Sequence, residues 1–439
     1  MNALELNAIL YFASMLYVAK KETFNSVRTI VLLFYFLFAL MGVITVTNGI
    51  YFKAFGMYNI HNVSFTPYFI NFIMIISLLS LLKINENHQI ALFNNNINRI
   101  ELKILNTFEN IIIFFCLLLV LLSLYGMFER SISFSSLYIL LRNGDDTFIH
   151  NQLLNTLFWK TKYLIGFFQP FVCMLFVSKI AFKKKILAIL LSFISLTFSS
   201  IVTTSRGAVF FIVFNYIFFL IIFWNRLNNQ YKRLIIGIGL LLGIVIVYYI
   251  VQISESRFDD NASESVLRYF GEPFPTLGFQ IWDVHGNHLM FERKFPTLYN
   301  LFCAHTINYD NFNDQVSYFS FKSNYPINNF KPFFGDMYIE YDLILSFIIF
   351  LCIFFLLKKL INSNLYNGLS FIYIFLTYEI LIWGPFGCKF DESEIKKIFF
   401  YLLFILYIKK RFLTHSASTN GCINNHSQLQ HLQPFTQLP

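Results

Sequence analysis

Long apolar runs recur along the chain, and they constrain its fold more than any other feature of the sequence. Runs of 17 to 21 residues with almost no charged side chain occur repeatedly among the 439 residues. At a rise of about 1.5 Å per residue, a helix of that length crosses the roughly 30 Å hydrocarbon core of a bilayer. Only 13% of the residues are charged, about half the share found in soluble chains. We therefore expect an all-α polytopic membrane protein.

The apolar runs predict eleven transmembrane helices. The predicted spans are residues 4–18, 30–50, 67–82, 111–128, 163–182, 186–202, 207–224, 234–253, 337–357, 365–383 and 398–408. Short basic segments follow every odd-numbered span and hold 18 of the 33 basic residues. Because such segments stay in the cytoplasm, the amino terminus is predicted to lie outside and the carboxyl terminus inside. The net charge of +9 has the same explanation, so no nucleic acid is expected as a partner.

One long polar stretch, residues 254–336, follows the eighth predicted span, and we call it the outer segment. It carries six basic and ten acidic side chains and is predicted to face outward. The predicted domains are therefore spans 1–8 (residues 1–253), an extracytoplasmic loop domain (254–336) and spans 9–11 (337–412). Residues 413–439 contain no Lys, Arg, Asp or Glu, which predicts a disordered polar tail or a segment foreign to the protein.

Arginines near the predicted outer ends of the spans indicate anion binding. Arg206 lies in a Thr-Thr-Ser-Arg-Gly-Ala sequence that opens the seventh span, where a helix amino terminus and a guanidinium could bind phosphate oxygens together. Arg268 lies in a predicted short helix of the outer segment that stops at a Gly-Glu-Pro sequence. Arg257 and Arg293 lie in the same segment. The alternative for each is an arginine that is solvated or snorkels to the membrane interface.

Carboxylates and histidines near the outer face are candidates for a general base. Asp283 and His285 are close in the chain, and Asp336 lies four residues before Glu340, on the same predicted helix face. For the first pair, the alternative is a polar loop with ordinary histidines. His285 and His288 are three residues apart but have no further ligand at a recognisable spacing, so no metal site is predicted.

Three short motifs occur in a fixed order on the predicted outer side. They are Ser-Arg-Gly at 205–207, Arg-Tyr-Phe-Gly at 268–271 and Gly-Asp-Met-Tyr at 335–338. In order and sidedness they resemble the motifs of Wzy-type O-antigen polymerases, which join oligosaccharide repeat units during lipopolysaccharide biosynthesis. The resemblance extends from the first span to Arg411. It implies a multi-pass protein of the bacterial cytoplasmic (inner) membrane with the architecture of C-type glycosyltransferases and O-antigen polymerases and ligases.

The resemblance also implies a reaction and its partners. The growing glycan would move from undecaprenyl pyrophosphate to a lipid-linked repeat unit at the outer membrane face, without a cofactor and without a metal. The four arginines would bind the pyrophosphate, since guanidinium groups stabilise departing negative charge, and one of the three base candidates would deprotonate the acceptor hydroxyl. The partners would be lipid-linked oligosaccharides, the bilayer and, as a candidate, a chain-length regulator protein.

Two other functions remain open at this point. An O-antigen ligase, or another polyprenyl-phosphate-dependent glycosyltransferase, would share the outer segment and differ in its acceptor. A polysaccharide flippase or transporter belongs to a different class and would carry charges midway along several spans. Among the predicted spans only Glu379 lies at any depth, and either a function or a structural salt bridge to an arginine at the outer face would explain it.

Overall fold

The computed structural model describes the backbone of residues 2–22, 26–55, 63–82, 99–130, 148–174, 182–203, 206–224, 227–257, 262–282, 288–303, 312–327, 330–362, 370–401 and 403. Within these ranges all regular secondary structure is helical. In chain order the helices are α1 (Ala3–Lys21), α2 (Val27–Thr47), α3 (Ile50–Phe55), α4 (Thr66–Leu79), α5 (Arg99–Arg130), α6 (Gln152–Met174), α7 (Phe182–Val202), α8 (Arg206–Phe223), α9 (Asn229–Arg257), α10 (Ala262–Gly271), α11 (Pro273–Thr276), α12 (Pro296–Cys303), α13 (Phe312–Ser323), α14 (Phe333–Asn362), α15 (Ser370–Trp383) and α16 (392–401). A 3₁₀ turn (Ser80–Leu82) extends α4, and a π turn (Leu277–Trp282) follows α11.

Three helices in the described part of the chain are long and apolar enough to cross a membrane. They are Val27–Thr47, Glu109–Glu129 and Phe333–Asn362. Shorter apolar helices cover Thr66–Leu82, Leu187–Val202, Ala208–Ile222 and Ile372–Trp383. Each of the eleven predicted spans overlaps one of the helices. These helices support the all-α membrane character expected from the sequence, while the number of crossings and their orientation stay predictions.

Local signals in the sequence account for the ends of the first two helices. The side chain of Asn2 accepts a hydrogen bond from the Leu4 amide, and Glu5 accepts one from the Asn2 amide in return. This reciprocal arrangement satisfies backbone donors that have no partner inside the helix. Ser26 caps α2 in the same manner by accepting from the Thr29 amide at 3.2 Å. The two helices then pack side by side along their length.

The outer segment packs against the carboxyl-terminal half of α2. Gly271, the last residue of α10, makes the closest approach. A Cβ atom at that position would lie 2.5 Å from Cγ2 of Thr45 and 2.6 Å from the carbonyl oxygen of Met41. A side chain of any size would therefore push α10 away from α2. The predicted stop of this helix at Gly271 is confirmed.

The chain that follows α10 inserts among α1, α2 and α4. Phe274 and Leu277 are completely buried, and the ring of Phe274 lies 5.9 Å from that of Tyr11 in α1. Asn71 of α4 donates to the Tyr11 hydroxyl at 3.2 Å and accepts from the Phe334 amide at 3.0 Å. Asn71 of α4 therefore binds the start of α14 and also the Tyr11 side chain, against which Phe274 packs.

Asp342 interrupts α14 and separates two parts of it with different surroundings. Its backbone has φ 68° and ψ 173°, a conformation that is rare for residues other than glycine. The part before it contains the buried Asp336 and Glu340. The part after it exposes large apolar side chains, including Ile344 and Phe355. The two acidic residues are thus enclosed by protein, ahead of the apolar length of the helix.

Candidate functional site

A buried cluster of charged side chains joins the outer segment to the start of α14. It consists of Arg293, Lys294, Lys331, Asp336 and Glu340, and we call it the ion network. Arg293 donates from one terminal nitrogen to Oδ1 of Asp336 at 2.6 Å and from Nε to Oε2 of Glu340 at 2.9 Å. Nζ of Lys294 lies 2.7 Å from Oδ2 of Asp336. Because one guanidinium binds both carboxylates, the shared helix face expected from their spacing is confirmed.

Backbone groups complete the ion network. The amide of Cys388 donates to Oδ2 of Asp336 at 2.9 Å, and the amide of Lys294 donates to Oε1 of Glu340 at 3.1 Å. Nζ of Lys294 also donates to the carbonyl oxygen of Cys388. These contacts therefore hold three parts of the chain at one point: the turn of the outer segment, the start of α14 and the chain after α15.

Three basic side chains face two carboxylates in the ion network, so it carries one excess positive charge whenever Lys331 is protonated. Burial opposes the charge of Arg293, but Asp336 and Glu340 outweigh it and raise the pKa of the guanidinium. Lys331 is held less closely. Its Nζ lies 3.7 Å from Asp336, and it donates to a backbone carbonyl at 2.7 Å. Burial lowers the pKa of Lys331 to about 7.

Glu272 connects Arg268 to the ion network. Nε of Arg268 lies 3.4 Å from one carboxylate oxygen of Glu272, and the other oxygen accepts from the amide of Phe330, next to Lys331. The Arg268 side chain is 30% exposed, compared with 17% for Arg293. Two predicted pyrophosphate-binding arginines therefore belong to one connected set of charges, and Arg268 is the more accessible of them.

Aromatic side chains place the start of α8 beside α10. The ring of Phe270 in α10 lies 5.4 Å from Phe38 of α2 and 6.0 Å from Phe210 of α8. Phe386, which follows α15, contacts both Phe38 and Phe210, at 5.1 and 5.4 Å. Phe210 is one helical turn beyond Arg206. The first turn of α8, which begins at Arg206, is thus close to the helix that carries Arg268.

Glu379 is ion-paired. Its carboxylate lies 2.9 Å from Nζ of Lys397 and 3.5 Å from Nζ of Lys389, and it accepts from the Asn215 amide group at 3.3 Å. Glu394 shares the same two lysines at 3.3 and 3.7 Å. The ion pair expected for this deep carboxylate is observed, but its partners are two lysines that follow the span and not an arginine at the outer face.

Three predicted site residues meet in the connected charges: Arg268, Arg293 and Asp336. Lys294 and Lys331, which are equally part of the ion network, were not predicted. The sequence signal for Lys294 is its position next to Arg293, and the signal for Lys331 is its place five residues before Asp336. Neither spacing identifies a buried cation without the tertiary contacts.

Four other predicted site residues lie wholly or partly outside the described residues. The backbones of Arg206 and Arg257 are the first residue of α8 and the last residue of α9, and their side chains are not among those described. Asp283 and His285 fall between residues 282 and 288, where the description is interrupted. Their roles stay predictions.

Within the described ranges, His, Cys, Asp and Glu side chains form no group of three or more that could hold a metal ion. The expectation of a metal-independent reaction stays a prediction, because it concerns activity. Comparison of the chain with family models, with curated proteins and with solved structures found no match.

Proposed function

We propose that the protein is a membrane glycosyltransferase that polymerises lipid-linked oligosaccharide repeat units. It would transfer the growing glycan from undecaprenyl pyrophosphate to a lipid-linked repeat unit at the outer face of the bacterial cytoplasmic membrane. The observation that carries the proposal is the connected set of charges, which brings Arg268 and Asp336, from two of the three motifs, together with Arg293 in one cationic region.

The charge balance of this region suits the proposed reaction. The acceptor oxygen bonds to the anomeric carbon as the bond from that carbon to a phosphate oxygen breaks. The electron pair of the broken bond stays on the departing pyrophosphate, and the acceptor hydroxyl loses its proton to a base. Cations on a fixed scaffold stabilise the departing anion without having to reorganise during the reaction. With Lys331 protonated, the ion network holds one cation more than its carboxylates neutralise.

The contacts suggest different roles for the predicted residues. Arg293 is bound by two carboxylates, so its role would be to fix the start of α14. Arg268 is more exposed and has its carboxylate partner at 3.4 Å, so it is better placed to contact pyrophosphate. Both oxygens of Asp336 accept short hydrogen bonds, which leaves it poorly suited to take a proton. Asp283 and His285 are therefore the preferred base candidates.

Glu379 bears on the choice between an enzyme and a transporter. A transporter path through the bilayer would use charged groups that are free to bind the cargo or a coupling ion. The carboxylate of Glu379 is instead neutralised by Lys389 and Lys397. This pairing favours the enzyme over a flippase. A ligase would differ only in its acceptor, so the experiment below is designed to separate it from a polymerase.

The test is a lipopolysaccharide gel of a strain from which the coding sequence has been deleted. Loss of a polymerase should leave a single repeat unit attached to the lipid A core. Loss of a ligase should leave long glycans on the lipid carrier, and loss of a flippase should leave lipid-linked units in the cytoplasm. Either of the last two patterns would refute the proposed polymerase.

Complementation with variants then tests the site. Arg268→Ala should reach the membrane at normal levels but restore long chains at no more than about 1% of the wild-type rate, because loss of one charge-stabilising donor slows such reactions by about 10²-fold or more. Arg206→Ala should behave in the same way. The matched control is Arg233→Ala, since Arg233 is exposed near the start of α9 on the predicted cytoplasmic side. If Arg268→Ala and Arg206→Ala both restore chain length as fully as the control, the assignment is wrong.

A further inference from the structure

Lys162 is a cation near the start of α8, and the reaction proposed above gives it no role. It lies on α6, and its Nζ donates to Oγ1 of Thr203 at 2.9 Å. The same ammonium group lies 5.1 Å from the ring centre of Trp159. Thr203 precedes Arg206 by three residues, so their Cα atoms are at most about 11 Å apart. Lys162 is therefore close to the motif that opens α8.

A second contact shows how α6 and α8 are aligned. Asn215 of α8 donates to Gln169 of α6 at 3.3 Å. Lys162 contacts Thr203, which follows the end of α7 three residues before α8 begins, and Gln169 contacts Asn215, nine residues into α8. The order of these two contacts indicates that α6 and α8 run in the same direction, with Lys162 near the amino-terminal end of α8.

Lys162 differs from the other enclosed lysines in the kind of partner it has. Lys294 and Lys397 each have a carboxylate oxygen within 3 Å, at 2.7 and 2.9 Å. Lys162 contacts a hydroxyl and an indole ring, and it forms no ion pair with a described carboxylate. Burial alone lowers the pKa of Lys162 to about 7. A partly buried ammonium with neutral partners is unfavourable unless an anion approaches it.

We propose that Lys162, Thr203 and the first turn of α8 bind one phosphate group of a lipid-linked substrate. The identity of the ligand as a polyprenyl pyrophosphate rests on the proposed function, whereas the site itself rests on the contacts of Lys162. Backbone N–H groups in the first turn of a helix have no intrahelical partner and attract anions. With an ammonium beside them they favour a phosphate over a neutral lipid headgroup. Lys162 is thus a substrate-positioning cation supplied by α6.

The experiment measures the affinity of the purified full-length protein for farnesyl pyrophosphate in detergent micelles. Lys162→Met should weaken binding about tenfold or more, and Lys162→Arg should stay within about threefold of wild type because it keeps the charge. The control is Lys160→Met, which removes the same charge from an exposed position on the same helix and should not change the affinity.

Two further probes distinguish the possible sources of the phosphate. Farnesol should not bind measurably at this site, because it lacks the charge that Lys162 recognises. Inorganic pyrophosphate should compete weakly, because it lacks the prenyl chain. Displacement of farnesyl pyrophosphate by an equal concentration of inorganic pyrophosphate would overturn the assignment to a lipid-linked substrate.

Thermal stability separates substrate binding from a structural role. Lys162→Met should unfold at the wild-type temperature or above it when no ligand is present, because the change removes an unpaired enclosed charge. Equal affinities of Lys162→Met and Lys160→Met would overturn the site. So would a loss of affinity that is accompanied by a lower unfolding temperature and is not rescued by Lys162→Arg.

The two proposals can fail separately. If Lys162→Met keeps full affinity while Arg268→Ala loses polymerisation, the Lys162 site is wrong and the polymerase stands. If Lys162→Met loses affinity but deletion of the coding sequence does not shorten the polysaccharide, the site stands and the polymerase is wrong.

Discussion

Replacing Asp336 with Asn should destabilise the protein by about 3–5 kcal/mol, because it leaves buried cations without their partner. Asp336 lies 2.6 Å from Arg293 and 2.7 Å from Lys294. After the change, the basic side chains of the ion network face only the carboxylate of Glu340, so its net charge rises by one unit, from +1 to +2 when Lys331 is protonated. An unfolding entropy of about 2.1 cal/mol/K per residue gives roughly 0.9 kcal/mol/K for 439 residues. The unfolding temperature should therefore fall by about 3–5 °C.

A second substitution makes this expectation specific to the ion network. Lys294→Met alone leaves Asp336 bound to Arg293 and to the amide of Cys388, so it should cost only about 1–3 kcal/mol. In a protein that already carries Asp336→Asn, the same change removes an unpaired buried cation and restores the net charge of +1. Lys294→Met should therefore destabilise the wild type and stabilise the Asp336→Asn variant.

The assay is thermal unfolding of the four purified proteins in one detergent, followed by tryptophan fluorescence. Asp342→Asn is the matched control, because the side chain of Asp342 is 47% exposed and lies 3.8 Å from His288. It should change stability by less than about 1 kcal/mol, because Asn has the shape of Asp and its side-chain oxygen can still accept the hydrogen bond from the Leu343 amide. Additive effects of Asp336→Asn and Lys294→Met would refute the reasoning. So would an Asp336→Asn variant as stable as the control.

Three other expectations can be checked with the same protein. Burial lowers the pKa of Lys331 from 10.5 to about 7, so between pH 7 and 10.5 the unfolded chain binds a proton at this side chain that the folded protein does not. The free energy of unfolding should therefore rise with pH across that range, and it should rise less in Lys331→Met. Gly271→Ala should cost about 1–3 kcal/mol in thermal unfolding, because its Cβ would lie 2.5 Å from Thr45, whereas Gly237→Ala has open space around it and should be neutral or stabilising. EDTA treatment should leave glycosyl transfer unchanged; loss of activity that added divalent cations restore would contradict the metal-independent mechanism.

Features encoded by neighbouring residues could be predicted from the sequence. The apolar runs predict the helices because hydropathy over about 20 residues is a local property. The end of α10 at Gly271 follows from a Gly-Glu-Pro sequence. The common face of Asp336 and Glu340 follows from helical geometry, and Arg293 binds both of them.

Partners that come from distant parts of the chain could not be predicted in this way. Arg293 and Asp336 are 43 residues apart, and Lys294 and Cys388 are 94 residues apart. Tertiary packing selects such pairs, and hydropathy or periodicity gives no register across those distances. The sequence likewise showed Lys162 only as the last residue before a span, and its contact with Thr203, 41 residues away, depends on the fold.

The insertion of residues 273–282 among the first helices has a practical consequence for biochemical work. A truncated fragment covering 254–336 would expose Phe274 and Leu277 to water, although both are fully buried in the intact chain. It would also separate Asp336 from Glu340, so Arg293 would lose one of its two carboxylates. Such a fragment should aggregate rather than crystallise. Ligand titrations and antibody selection will therefore require the intact polypeptide in detergent or nanodiscs.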